Sequence, residues 1–136
     1  MEYGDLNMVV DIWFTSNCSA HHFVPVAYWE SHLDYMLKAL SHAEVWVYCV
    51  GERVVAFVGV DGDYIAGLFV AEGFRSQGIG HALLDHVKTL HRSLSLCVYE
   101  KNPQALAFYT REGFAAIAHR VDAPTAEEEI VMRWVE

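Results

Sequence analysis

The spacing of hydrophobic residues changes near residue 44. Before that point apolar positions recur every three or four residues. In "DLNMVVDIWFTSN" Leu6, Val9, Val10 and Trp13 share one helical face, with Asp5 placed to cap the start. "VAYWESHLDYMLKALSHA" repeats the spacing through Trp29, Leu33, Met36, Leu37 and Leu40, which predicts a second helix. Between them "SAHHFVP" is a short connection with two adjacent histidines. From Glu44 the runs become β-branched and aromatic: "EVWVYCV", "RVVAFVGV" and "DYIAGLFV", separated by Gly51-Glu52 and Asp61-Gly62-Asp63. Connections this short join antiparallel neighbours, so these three strands form a meander.

Further along, strand and helix alternate. "GHALLDHVKTLH" sets Leu83, Leu84, Val87 and Leu90 on one helical face. "LSLCVYE" is the next strand, and the intervening helix makes it parallel to the strand ending near Val70. "NPQALAFYTREGF" opens with Asn102 as N-cap and Pro103 at the first helical position, and Gly113 stops the helix. "AAIAHRV" and "EEIVMRWV" close the chain as two more strands. The expectation is an α/β fold with a mixed sheet, an antiparallel meander followed by a parallel β-α-β crossover. At 136 residues it should be one domain.

Composition narrows the function classes. A 54% hydrophobic content supplies a core, and a chain of this size buries roughly two-thirds of its unfolded surface. A net charge of −9 lacks the basic footprint of a nucleic-acid binder and suits a cationic substrate such as an amine. Cys18, Cys49 and Cys97 form no C-x-x-C pair, which suggests neither a zinc site nor a disulfide framework. Cys49 and Cys97 lie in apolar runs and are expected to be buried thiols in a reducing compartment. "MEYGDLNMVV" lacks the basic start and apolar block of a signal peptide, and no apolar run has the length of a membrane span. A cytoplasmic protein without membrane partners is expected. His81, His86 and His91 are spaced by five, which spreads them around a helix, so no metal is expected.

The segment "FRSQGIGHALLDHV" carries the candidate chemistry. A helix N-terminus leaves backbone N–H groups unpaired at a positive dipole end, and glycines let that backbone approach an anion. Gln77, Gly78, Ile79, Gly80 and His81 therefore form a possible phosphate cradle, with Arg75 and Ser76 beside it. One reading is a dinucleotide fold: Gly78-x-Gly80 is one residue short of G-x-G-x-x-G, and Glu100 ends the next strand twenty positions on. Against it, Leu83 replaces the third small residue, "AEGFRSQ" separates the glycines from the strand, and an antiparallel meander precedes them.

The other reading is a resemblance. Arg75-Ser76-Gln77-Gly78-Ile79-Gly80 resembles the R/Q-x-x-G-x-G/A signature of the GNAT acetyltransferases, and "NPQALAFYTREGF" is similar to that family's downstream motif. The likeness runs from about Val45 to Trp134, and "HHF", "YW", "VWV" and "VYEKN" resemble a group of small bacterial members, some of which acetylate protein lysines. The resemblance implies the GNAT fold, acetyl-CoA as donor, and transfer of acetyl to a primary amine by direct attack in a ternary complex. The amine could be a small molecule, a peptide N-terminus or a protein lysine. It places Tyr109 as the general acid for the departing thiolate and gives Asn102 a contact to the pantetheine arm. It sets the backbone of Leu68, Phe69 and Val70 beside that arm as an added strand. Acceptor contacts would come from His21, His22, Phe23 and Trp29. Glu72, Glu100, His21 and His22 are candidate bases. The family usually begins with a strand ahead of its first helix, for which this chain has only about four residues. A non-catalytic module that senses acyl-CoA through the same loop is the alternative of another class. Monomer and homodimer are both open.

Overall fold

The computed structural model describes residues 3–136. A short 3-10 turn, Tyr3–Asp5, leads into α1 (Leu6–Ala20), followed by α2 (Val26–Ser31) and α3 (Leu33–His42). Then come β1 (Glu44–Val50), β2 (Arg53–Asp61), β3 (Tyr64–Val70), α4 (Ile79–Lys88), β4 (Ser93–Tyr99), α5 (Pro103–Arg111), β5 (Ala115–Asp122) and β6 (Glu127–Val135). The six strands form one sheet in the order β1-β2-β3-β4-β6-β5. All neighbours are antiparallel except β3 and β4. The mixed sheet, the meander and the parallel crossover agree with the sequence pattern.

Two cores flank the sheet. One gathers Ala56, Val58 and Leu96 under Leu83, Leu84 and Val87 of α4, with Tyr109 of α5 and Phe114. The other packs Val9, Ile12 and Trp13 of α1 with Trp29, Met36 and Leu40 against Val45, Val54 and Phe57. The alternation of strand side chains sorts β3 between them: Leu68 and Val70 pack on the first core, Phe69 on the second.

Several local expectations are corrected. The second predicted helix is two helices interrupted at His32, whose ring stacks on Tyr28 with centroids 5.1 Å apart. With that interruption Trp29, Met36 and Leu40 are buried, while Leu37, which shared their face in a continuous helix, is exposed. Asp5 occupies the N-cap position of α1 in a helical backbone conformation and makes no side-chain cap hydrogen bond. α4 ends at Lys88, so Leu90 falls beyond it and is exposed. Cys49 is exposed and Cys97 half-buried, because β1 is an outer strand and β4 turns Cys97 away from the cores. Among the described residues no strand precedes α1.

Candidate active site

The parallel pair at the middle of the sheet is the origin of the site. β3 and β4 meet only at their beginnings, with Tyr64 opposite Ser95 and the Ser95 N–H donating to Asp63 O at 2.9 Å. Beyond that point β3 remains paired with β2, and β4 with β6, but not with each other. Between the ends near Val70 and Tyr99 the sheet is therefore split. Unpaired strand edges in such a split can take hydrogen bonds from an extended guest.

The loop after β3 leads from this split into α4. Arg75 donates through Nε to Val70 O at 3.0 Å and through Nη2 to Ser16 Oγ at 3.4 Å, tying the loop to β3 and α1. Gln77 Nε2 donates to Gly73 O at 3.1 Å. These two side chains therefore hold the loop's own shape. Gly78 is the N-cap of α4 at φ +81°, with open space where a Cβ would stand. That left-handed conformation is readily available to glycine. Gly80 has a different reason: a Cβ there would lie 3.2 Å from Phe108 Cζ and 3.7 Å from Leu68 Cδ2. It keeps α4 close to α5 and to β3 at the split.

Tyr109 follows Phe108 on α5 and is 9% exposed. Its ring packs edge-on against Phe108 and Phe114, and burial pushes its hydroxyl well above the usual tyrosine range. It is a proton-holding group at neutral pH. Asn102 caps α5, its Oδ1 accepting from Ala105 N–H at 3.3 Å, as its sequence position predicts.

On the other side of the split lies an aromatic cluster. His21 packs against Phe23, Trp29 and Tyr99 with centroids 5.7, 5.7 and 4.9 Å away. Trp29 is buried and meets Trp13 and Tyr28 edge-on. The structure thus brings His21, Phe23 and Trp29 together, while His22 is exposed and touches Phe23 only at the side. His21 is not a free loop side chain. Its Nδ1 lies 2.9 Å from Asn17 Oδ1 and its Nε2 3.1 Å from Asn102 Nδ2, and burial lowers its pKa to about 4. With Nε2 accepting from Asn102, His21 is not placed to take a proton from an amine.

Of the other candidate bases, Glu72 is exposed on the loop. Glu100, at the end of β4, is hydrogen-bonded to the Glu128 carboxyl, which raises its pKa. Glu100, Lys101, Ala126, Glu127 and Glu128 line an open cavity of about 280 Å³. Lys101 pairs with Glu127 there at 3.2 Å. Glu128 was missed in the sequence because "AEEEI" reads as a solvated turn; only the β4–β6 pairing brings it beside Glu100. Asn17 and Tyr99 were missed as well. Asn17 stands four residues before His21, a spacing that could have signalled the contact.

Among the described residues, His81, Asp85 and Glu112 place three possible ligand atoms within 4.8 Å. His81 Nδ1 is 2.5 Å from Glu112 and Nε2 is 3.1 Å from Asp85. The hydrogen bond to Glu112 and the charge of both carboxylates raise the His81 pKa. The histidine spacing along α4 gave no hint of this group, because Glu112 comes from the end of α5.

A split parallel pair with a glycine-bounded helix N-terminus opening beside it defines an acyl-coenzyme transferase class of site. Comparison with known proteins agrees. Residues 41–116 match the family model described as "Acetyltransferase (GNAT) domain". The peptidyl-lysine N-acetyltransferase YiaC of Escherichia coli (strain K12) is 32% identical over 134 residues, covering 97% of this chain and 89% of that protein. The solution structure of apo-form YjaB from Escherichia coli superposes with a TM-score of 0.86 at 25% identity, over 99% of this chain and 94% of that one. A GNAT family acetyltransferase from Elizabethkingia anophelis with acetyl-CoA bound shares the fold, with a TM-score of 0.67 at 17% identity over 76% and 82% of the two chains. The chain belongs to the GNAT family of acetyltransferases and is an acyltransferase. Among the described residues no helix is long and apolar enough to cross a membrane.

Proposed function

We propose that this protein transfers the acetyl group of acetyl-CoA to a primary amine, and that the amine is the side chain of a protein lysine. The observation that carries the reading is the split between β3 and β4 with the α4 N-terminus opening on it. The lysine acceptor is supported by the relative named a peptidyl-lysine N-acetyltransferase, which this chain matches over nearly its full length.

The coenzyme, when bound, supplies an activated acetyl thioester. The backbone amides of Gln77 to His81 would hold its pyrophosphate, since helix N-termini favour anions. The free edge of β3 at Leu68, Phe69 and Val70 would pair with the pantetheine arm, and an amide of this strand would stabilise the developing oxyanion. Asn102 would contribute a side-chain hydrogen bond to the same arm. Tyr109 would give its proton to the departing sulfur.

A lysine amine is neutral in only about one molecule per thousand at pH 7.4, so its deprotonation costs about 4 kcal/mol. Glu100 fits the task of proton acceptor, because its bond to Glu128 lifts its pKa and it borders the acidic cavity. Phe23, Trp29 and Tyr99 would flank the acceptor's aliphatic stem.

Tyr109→Phe tests the assignment. Turnover of acetyl-CoA with lysine-bearing peptides should fall about 10²-fold or more, the lower end of acid–base contributions. The dissociation constant for acetyl-CoA should stay within about twofold. Full activity in this variant would remove Tyr109 from the acid role. Absence of acetyl transfer to any amine by a wild-type protein that binds acetyl-CoA would favour a sensing module instead.

A further inference from the structure

Four hydrogen bonds run in series from α1 to α5. Asn17 Nδ2 donates to Trp13 O at 2.8 Å, and His21 Nδ1 meets Asn17 Oδ1 at 2.9 Å. Asn102 Nδ2 meets His21 Nε2 at 3.1 Å, and Ala105 N–H donates to Asn102 Oδ1 at 3.3 Å. Both ends are backbone groups of fixed polarity: a carbonyl that can only accept and an amide that can only donate. The polarity of everything between them follows. Asn17 donates to Trp13 with its nitrogen, so its oxygen faces His21 and His21 must carry its proton on Nδ1. The bare Nε2 must then accept, and Asn102 must supply the N–H.

Asn102 is thereby anchored at both amide atoms. The cap bond alone is long, at 3.3 Å, and leaves the side chain a second degree of freedom. His21 removes it. Among the described residues, the second N–H of Asn102 Nδ2 meets no acceptor, and Asn102 itself is half-buried at the wide end of the split. His21 and Asn17 are held in turn: Asn17 is 3% exposed, and the His21 ring is enclosed by Phe23, Trp29 and Tyr99.

We propose that His21 is a positioning residue that holds the Asn102 amide in the orientation presenting an N–H donor to the coenzyme, with Asn17 setting the histidine tautomer. The link also joins the C-terminal end of α1 to the start of α5, the helix bearing Tyr109. The proposal rests on the reading of Asn102 as a coenzyme contact.

The test compares two replacements of His21 by acetyl-CoA titration calorimetry. Asn at this position reproduces the Nδ1 end of the ring and keeps the Asn17 contact; Gln reproduces the Nε2 end and can accept from Asn102. His21→Asn should bind acetyl-CoA about three- to tenfold more weakly, the worth of one hydrogen bond. His21→Gln should bind within about twofold of wild type. A purely structural role would not separate the two in this direction. Equal affinities for both variants, or an unimpaired His21→Asn, overturn the proposal.

Asn102→Ser keeps the cap and removes the amide. If it binds acetyl-CoA like wild type, the reading of Asn102 fails and the proposal with it. If it binds weakly while His21→Asn does not, only the positioning role fails. Wild-type protein supplies a check that no folding defect can obscure. Long-range ¹H–¹⁵N spectra at pH 7 should show His21 protonated on Nδ1 alone, and an Nε2-protonated ring overturns the proposal.

Discussion

Gly80 and His21 show how single residues here are constrained by neighbours far away in sequence. Gly80 belongs to a phosphate-loop signature, yet the structure gives it a packing reason in Phe108 at 3.2 Å. Gly80→Ala must displace that ring, which adjoins Tyr109. We expect turnover to fall more than acetyl-CoA affinity, read as a larger loss in kcat than in Kd. His21 is half-buried, and desolvation lowers its pKa to about 4 from an ordinary 6.5. The titratable group packed against it is Tyr99, bonded to Asp122 at 3.2 Å, while the Lys101 ammonium lies over the neighbouring Phe23. A group that must charge on unfolding stabilises the fold fully above its unfolded pKa, and this contribution is lost as pH falls from about 6.5 to 4. His81 has the opposite sign: its pKa is raised, so its contribution is present below about 6.5 and disappears as pH rises through the folded value. Denaturation midpoints between pH 4 and 7 should therefore rise less steeply in His21→Gln than in wild type. An unchanged slope would mean that the His21 environment is not the buried one seen here.

At the scale of elements, α4 joins the core to the cradle. Its inner face carries Leu83, Leu84 and Val87, and Leu84 is 0% exposed. Leu84→Ala should cost about 2–5 kcal/mol in urea unfolding, the range for buried leucines that leave a cavity. Periodicity located the start of this helix and all six strands to within a residue or two. Helix ends and breaks were harder to read. The interruption at His32, where the ring stacks on Tyr28 and lies tilted against Tyr35, is a local feature that apolar spacing does not register. The early end of α4 left Leu90 outside, although the spacing placed it on the inner face.

Across the whole molecule, the proposed lysine acceptor would meet both the net charge of −9 and the acidic cavity beside Glu100. Screening shortens such attraction to about 10 Å at 0.1 M salt and about 3 Å at 1 M. The KM for lysine-rich peptides should rise severalfold between 0.05 and 0.5 M NaCl while that for a neutral small amine changes little. An equal response from both acceptors would separate the net charge from acceptor recognition.

Apart from the break between α2 and α3, the order of elements, the meander, the parallel crossover, the cap at Asn102 and the glycine loop were legible along the chain, because each depends on residues within a few positions of one another. What only the tertiary structure decided depends on where strands part and which side chains meet across the split. β3 and β4 separate after Tyr64 and Ser95, a divergence that no residue on either strand announces. Glu100 meets Glu128, His81 meets Glu112, and His21 meets Asn102 across 81 positions. A histidine that seemed open to an acceptor is thereby a half-buried link bonded at both ring nitrogens, since burial and hydrogen-bond polarity belong to the assembled fold. Local spacing encoded the glycine loop at the start of α4; packing between distant segments set the polarity of the groups around it.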